Sequence, residues 1–106
     1  MEITGKIIEY EHENGDRYKL LFGIKTVTWE CLGGSAAGSS GTYSYGAIEI
    51  APNNLFISWS EEDGKVISIV ANVQIDTIYC CDTQGDTRHF WKGNIKRFSN
   101  ASIIHA

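Results

Sequence analysis

The stretch LFISWSEEDGKVISIV, Leu55–Val70, decides the fold class. Leu55, Ile57, Trp59 and Glu61 recur at period two and share one face; Phe56, Ser58 and Ser60 share the other. Two β-strands and a turn follow from that spacing. Glu62-Asp63-Gly64 is turn chemistry, and Gly64 can take the left-handed conformation that ends a three-residue hairpin loop. Such a loop pairs Glu61 with Lys65, Trp59 with Ile67 and Ile57 with Ile69. A two-residue turn at Asp63-Gly64 would set Trp59 opposite Ser68 instead. The first register is preferred because it places apolar residues opposite apolar ones.

Upstream, a second hairpin has the same grammar. Ile8, Tyr10 and His12 share a face, Glu13-Asn14-Gly15 turns the chain, and Asp16, Tyr18, Leu20 and Phe22 share a face. A three-residue loop pairs His12 with Asp16, Tyr10 with Tyr18 and Ile8 with Leu20. Thr26–Cys31 alternates next, with Val27, Trp29 and Cys31 on one side. The Gly/Ser-rich run Gly33–Gly41 reads as a long connection or a mobile flap over a cavity mouth. It lacks the Lys of a phosphate-binding loop, which argues against nucleotide binding. Further strands are expected over Tyr43–Ile50, Ile75–Cys81 and Thr87–Phe98, the last bent at Gly93. No segment carries an apolar stripe of helical period. The expectation is an all-β, antiparallel barrel or half-barrel of about eight strands in meander order, able to hold one small ligand. The 106 residues form a single domain on this reading.

Net charge is −4 and no Lys/Arg patch exists, so neither nucleic acid nor an anionic membrane is an expected partner. The absence of a leader pattern or a long apolar run leads to an expected cytoplasmic location. Cys31, Cys80 and Cys81 lack metal-ligand spacing and read as buried reduced thiols. No metal site and no cofactor is expected, and His89 and His105 read as surface residues.

The order of the pieces resembles the calycin-type, lipocalin-like barrel shared by the phenolic acid decarboxylases and the MoaF-like domains. Tyr10-Glu11-His12-Glu13-Asn14-Gly15 with Tyr18 is similar to the decarboxylases' first hairpin, with His12 where their second Tyr stands. Thr26-Val27-Thr28-Trp29 resembles their next apolar strand, and Ala37-Gly38-Ser39 stands where they have Ala-Gly-Arg. Ser58-Trp59-Ser60-Glu61, Gly64 and Val66 follow their Ser-Trp-Thr-Glu strand and turn. The resemblance runs from about Gly5 to Ile78. It implies that Tyr10 helps hold a substrate carboxylate and that Glu61 acts as an acid. Ser39 does not supply the guanidinium fork that such a carboxylate wants. The MoaF-like domains are therefore the nearer comparison.

Tyr10, Tyr18, Trp29 and Trp59 read either as core fillers or as cavity walls with polar tips. His12 reads as a turn-side surface residue or, if its ring points inward, as a group that changes charge near neutral pH. Glu61 reads as a cross-strand partner of Lys65 or, if buried beside Trp59, as a candidate acid. The leading functional expectation is a non-catalytic binder of a small apolar or aromatic molecule, held by Tyr10, His12, Tyr18, Trp29, Trp59 and Glu61. The alternative is a cofactor-independent acid–base lyase, a decarboxylase of an aromatic carboxylic acid using Glu61 and Tyr10. A third expectation is assembly: a homodimer covering strand edges left open at the first strand and at the strand after Ile75.

Overall fold

In a computed structural model, which describes residues 2–101, the chain is a sheet of eight strands closed on itself. The strands are β1 (Lys6–His12), β2 (Arg17–Phe22), β3 (Thr26–Gly33), β4 (Ser40–Ala51), β5 (Asn54–Ser60), β6 (Val66–Asn72), β7 (Thr77–Gln84) and β8 (Thr87–Asn100). Each pairs antiparallel with its sequence neighbours, and β8 returns to β1.

Both hairpins keep the registers that apolar pairing selects. Trp59 sits opposite Ile67 and Ile57 opposite Ile69. Tyr10 sits opposite Tyr18 and Ile8 opposite Leu20. The loops close with Glu61 N–H donating to Lys65 O at 2.8 Å and His12 N–H donating to Asp16 O at 2.8 Å. Gly15 (φ 96°) and Gly64 (φ 85°) hold the left-handed positions that end these loops.

Closure is complete, which corrects the expectation of open edges. β1 is paired on both sides, and β7 lies between β6 and β8. The reason is the length of β8. Its residues Thr87–Asn94 pair with β7, while Gly93–Asn100 pair with β1, so one 14-residue strand serves as both neighbours. Gly93 lies where these two ladders overlap, and a Cβ there would run into the Glu11 carbonyl oxygen. A bulge follows: Glu9 pairs with Arg97 but Tyr10 pairs with Ile95, leaving Lys96 as the extra residue.

Several strand boundaries also differ from the sequence reading. β3 and β4 run longer than expected, to Gly33 and from Ser40, so Gly33–Gly41 is no free connection. Gly38 N–H donates to Cys31 O at 3.0 Å and Cys31 N–H to Ser39 O at 2.9 Å, extending the hairpin to its tip. β7 starts at Thr77, because Asp76 takes a left-handed φ of 59° within the turn.

Inward positions sort the barrel into two zones. Ile8, Leu20, Phe22, Val27, Leu55, Ile57, Ile69 and Ile78 are fully buried and fill one end as ordinary core. At the other end, formed by the β1–β2, β3–β4, β5–β6 and β7–β8 turns, the inward residues are larger and more polar, and a cavity remains.

Candidate functional site: the cavity at the open end of the barrel

The cavity has a volume of about 160 Å³. That is close to the space which, in an engineered apolar cavity, accepts one benzene ring. Tyr10, Tyr18, Trp29, Trp59 and Trp91 supply its aromatic wall, each as an inward residue of its strand. The rings are packed on one another. Tyr10 and Tyr18 stack at 5.7 Å between centroids, and Trp29 meets Tyr18 edge-on at 6.3 Å. These contacts fix ring orientation before any ligand arrives.

His12 is the buried polar residue on this wall. It is 9% exposed, and its ring lies 5.1 Å from Tyr10 and 5.6 Å from both Tyr18 and Trp91. The surface reading of His12 is thus corrected: period-two phase with Tyr10 turns it inward, and Trp91 on β8 covers it. Its Nδ1 is buried with no hydrogen-bond partner among the described residues. Burial lowers its pKa, with Asp16 and Asp82 pulling the other way. The imidazole is therefore biased toward its neutral form.

Other interior groups are also held neutral. Burial first, then Cys80, Tyr18 and Cys31, raise the Tyr10 phenol well above its ordinary value. Burial pushes Tyr18 up to about 12, helped by Cys31 and Asp16. Burial pushes the Cys80 thiol up to about 12, with Asp82 second. At neutral pH the depth of the cavity therefore offers hydroxyl, thiol and imidazole groups without charge.

Charge gathers at the mouth. Asp16, Glu61, Asp82 and Lys65 line the cavity there, three carboxylates against one ammonium. Glu61 is half-buried, and its carboxylate accepts the indole N–H of Trp59 at 3.1 Å. Its pairing with Lys65 is through the backbone of the turn. Asp16 is held by Asn14, whose Nδ2 donates to it at 3.2 Å. The ion pair of Arg97 with Glu9, at 2.9 Å, lies on the outer wall and takes no part in the mouth.

The structure brings all six expected site residues, Tyr10, His12, Tyr18, Trp29, Trp59 and Glu61, to the one cavity. The Trp29 indole N–H does not serve it directly. That nitrogen lies against Gly41, where a Cβ would come within 2.7 Å of it, and it has no hydrogen-bond partner among the described residues. Ser39 and the rest of the Gly/Ser segment are not part of the lining. Ser39 instead donates from its hydroxyl to Ala36 O at 2.6 Å, within its own turn. Sequence reasoning missed Trp91, Cys80 and Asp82 as wall residues. The signal was available for Trp91, which alternates with the outward Phe90 and Lys92, but assigning its face needed the closure onto β1. Among the described residues no group of His, Cys, Asp or Glu is placed to hold a metal ion. No helix among them is long and apolar enough to cross a membrane.

Fold and cavity together define a small lipocalin-like barrel of the calycin type. The MoaF-like family model matches residues 4–96, and the chain belongs to that family. No curated protein matches the sequence. Among solved structures the chain is similar to a Burkholderia vietnamiensis protein described as "a putative beta-lactamase", with a TM-score of 0.84, 19% identity, and coverage of 93% of this chain and 97% of that one. At that identity the likeness concerns the fold alone.

Proposed function

We propose that the protein is a non-catalytic binder of a small apolar or aromatic molecule, seated in the cavity at the open end of the barrel. The observation that carries this reading is the cavity itself: a ring-sized space walled by Tyr10, Tyr18, Trp29, Trp59 and Trp91, with the buried His12 among them. A mostly apolar pocket with a few placed polar groups is the usual form of a small-molecule site. Three tryptophans in the wall make intrinsic fluorescence the natural readout. Titration with monocyclic aromatic compounds should give saturable quenching, weakened in Tyr18→Ala. A flat response to neutral, anionic and cationic compounds alike sinks the proposal.

The lyase reading has one observation in its favour: Tyr10 and Glu61 face the same cavity. Against it, no arginine lines that cavity, and Ser39 is turned into the β3–β4 loop. A carboxylate substrate would meet Asp16, Glu61 and Asp82 at the mouth, with Lys65 as the one cationic side chain in the lining. Release of carbon dioxide from a hydroxycinnamic acid, lost in Glu61→Gln, is the result that would establish it. The neighbour's β-lactamase description gains no support from the cavity, whose lining contains no serine among the described residues.

The assembly part of the proposal, a homodimer, rests on a different basis once the edges are closed. Ile48, Phe56, Val70 and Tyr79 are successive cross-strand partners on the outer face of β4–β7. Ile48 is 62% and Tyr79 50% exposed, and exposed apolar rows of this kind favour self-association.

A further inference from the structure

The cavity's wall and its mouth make different demands on a ligand, and together they select its charge. The wall offers the faces and edges of Tyr10, Tyr18, Trp29, Trp59 and Trp91. Aromatic faces carry negative quadrupole density and attract a cation placed within about 6 Å of the ring centre. The mouth adds Asp16, Glu61 and Asp82, with Lys65 as the single opposing charge. His12, also in the lining, is biased toward its neutral form and so adds little positive charge to the wall. We propose that the ligand of this cavity is an organic cation, a small primary or secondary amine in its protonated form carrying one aromatic ring or an apolar group of that size.

This inference rests on the binding reading above and adds the sign of the charge. It runs opposite to the carboxylic acid that resemblance to the decarboxylases implies. The size limit comes from the volume of about 160 Å³, which leaves room for one ring and a short arm. The ammonium would lie between the carboxylates and the ring faces, where partial desolvation strengthens both attractions. The same field disfavours an anion, since an incoming carboxylate faces three like charges against the single ammonium of Lys65. Glu61 is already oriented for such a cation. The Trp59 indole N–H fixes its carboxylate before binding, so little side-chain freedom is lost when the ammonium arrives.

Three compounds of one shape and different charge separate the possibilities: benzylamine, benzyl alcohol and phenylacetate, each titrated against the whole protein by calorimetry and tryptophan fluorescence at neutral pH. The expected order is benzylamine tightest, by roughly tenfold over benzyl alcohol, with phenylacetate weakest. Added salt should weaken benzylamine and leave benzyl alcohol nearly unchanged. Asp82→Asn should weaken benzylamine roughly fivefold, the size of one charge contact in water, without weakening benzyl alcohol. Equal or tighter binding of the alcohol or of phenylacetate overturns the cation inference and leaves the binding proposal standing. Silence from all three, with a thermal midpoint showing the protein folded, overturns both.

Discussion

His12 carries the most information per residue in this chain. Its neighbours in sequence, a turn and Asp16, suggest a surface position, yet the barrel buries it among Tyr10, Tyr18 and Trp91. Periodicity puts it on the same face as Tyr10 and leaves the inward reading open; what could not be read was the cover supplied by β8, nearly eighty positions along the chain. Its lowered pKa has a consequence for stability. In the unfolded chain the imidazole takes up a proton near 6.5, whereas in the barrel it does so only at lower pH. Between those values the unfolded state binds more protons, so stability rises with pH there and is lost as pH falls through the window. Asp16 and Asp82, the acidic groups that face His12, act in the opposite direction; they narrow the window without closing it, because burial is the larger cause. Thermal melts should show a midpoint that drops as pH falls below about 6.5, with the drop reduced in His12→Gln. An unchanged slope in His12→Gln would assign the acid sensitivity to other groups.

At the scale of single elements, the hairpins were legible and the closure was not. Alternation plus a glycine in the third loop position determines a register locally, as Trp59 opposite Ile67 and Tyr10 opposite Tyr18 show. The β8 strand is different. Its inward set runs through Trp91, Gly93 and Ile95, then the bulge at Lys96 shifts the phase so that Phe98, not Arg97, is the half-buried residue. A bulge depends on the partner strand and leaves little mark on the sequence that carries it. Gly93 is the local clue, read from sequence as a bend and found as a close approach to β1. Gly93→Ala should therefore cost on the order of 1–3 kcal/mol, the range for forcing an extra methyl into a packed site. Gly46→Ala is the control: nothing lies within 4 Å of a Cβ there, so the change should be neutral or stabilising by up to about 1 kcal/mol. Chemical denaturation of both variants measures the pair, and equal midpoints would refute the role given to Gly93.

At the scale of the whole molecule, the outer face and the seam set the expectations. The homodimer proposed above predicts that light scattering finds a dimer at micromolar concentration, and that Phe56→Glu, in the centre of the apolar row, converts it to a monomer. A parent protein that stays monomeric at high micromolar concentration ends that proposal. The seam has a further consequence. Lys6 pairs with Asn100, and Ala101 N–H donates to Gly5 O at 2.7 Å, so the first and last strands run side by side to their ends. Topologically the chain is nearly a ring, and where it is cut is a matter of choice. A circular permutant that joins Ala101 to Gly5 by a short linker and begins at Ala37 would open the chain in the β3–β4 turn, none of whose residues lines the cavity. The β1–β8 ladder would then be formed by a hairpin between sequence neighbours, and the β3–β4 ladder would close the barrel in its place. Comparing the folding rates of parent and permutant would separate the loop entropy of closure from the strength of the ladder that achieves it.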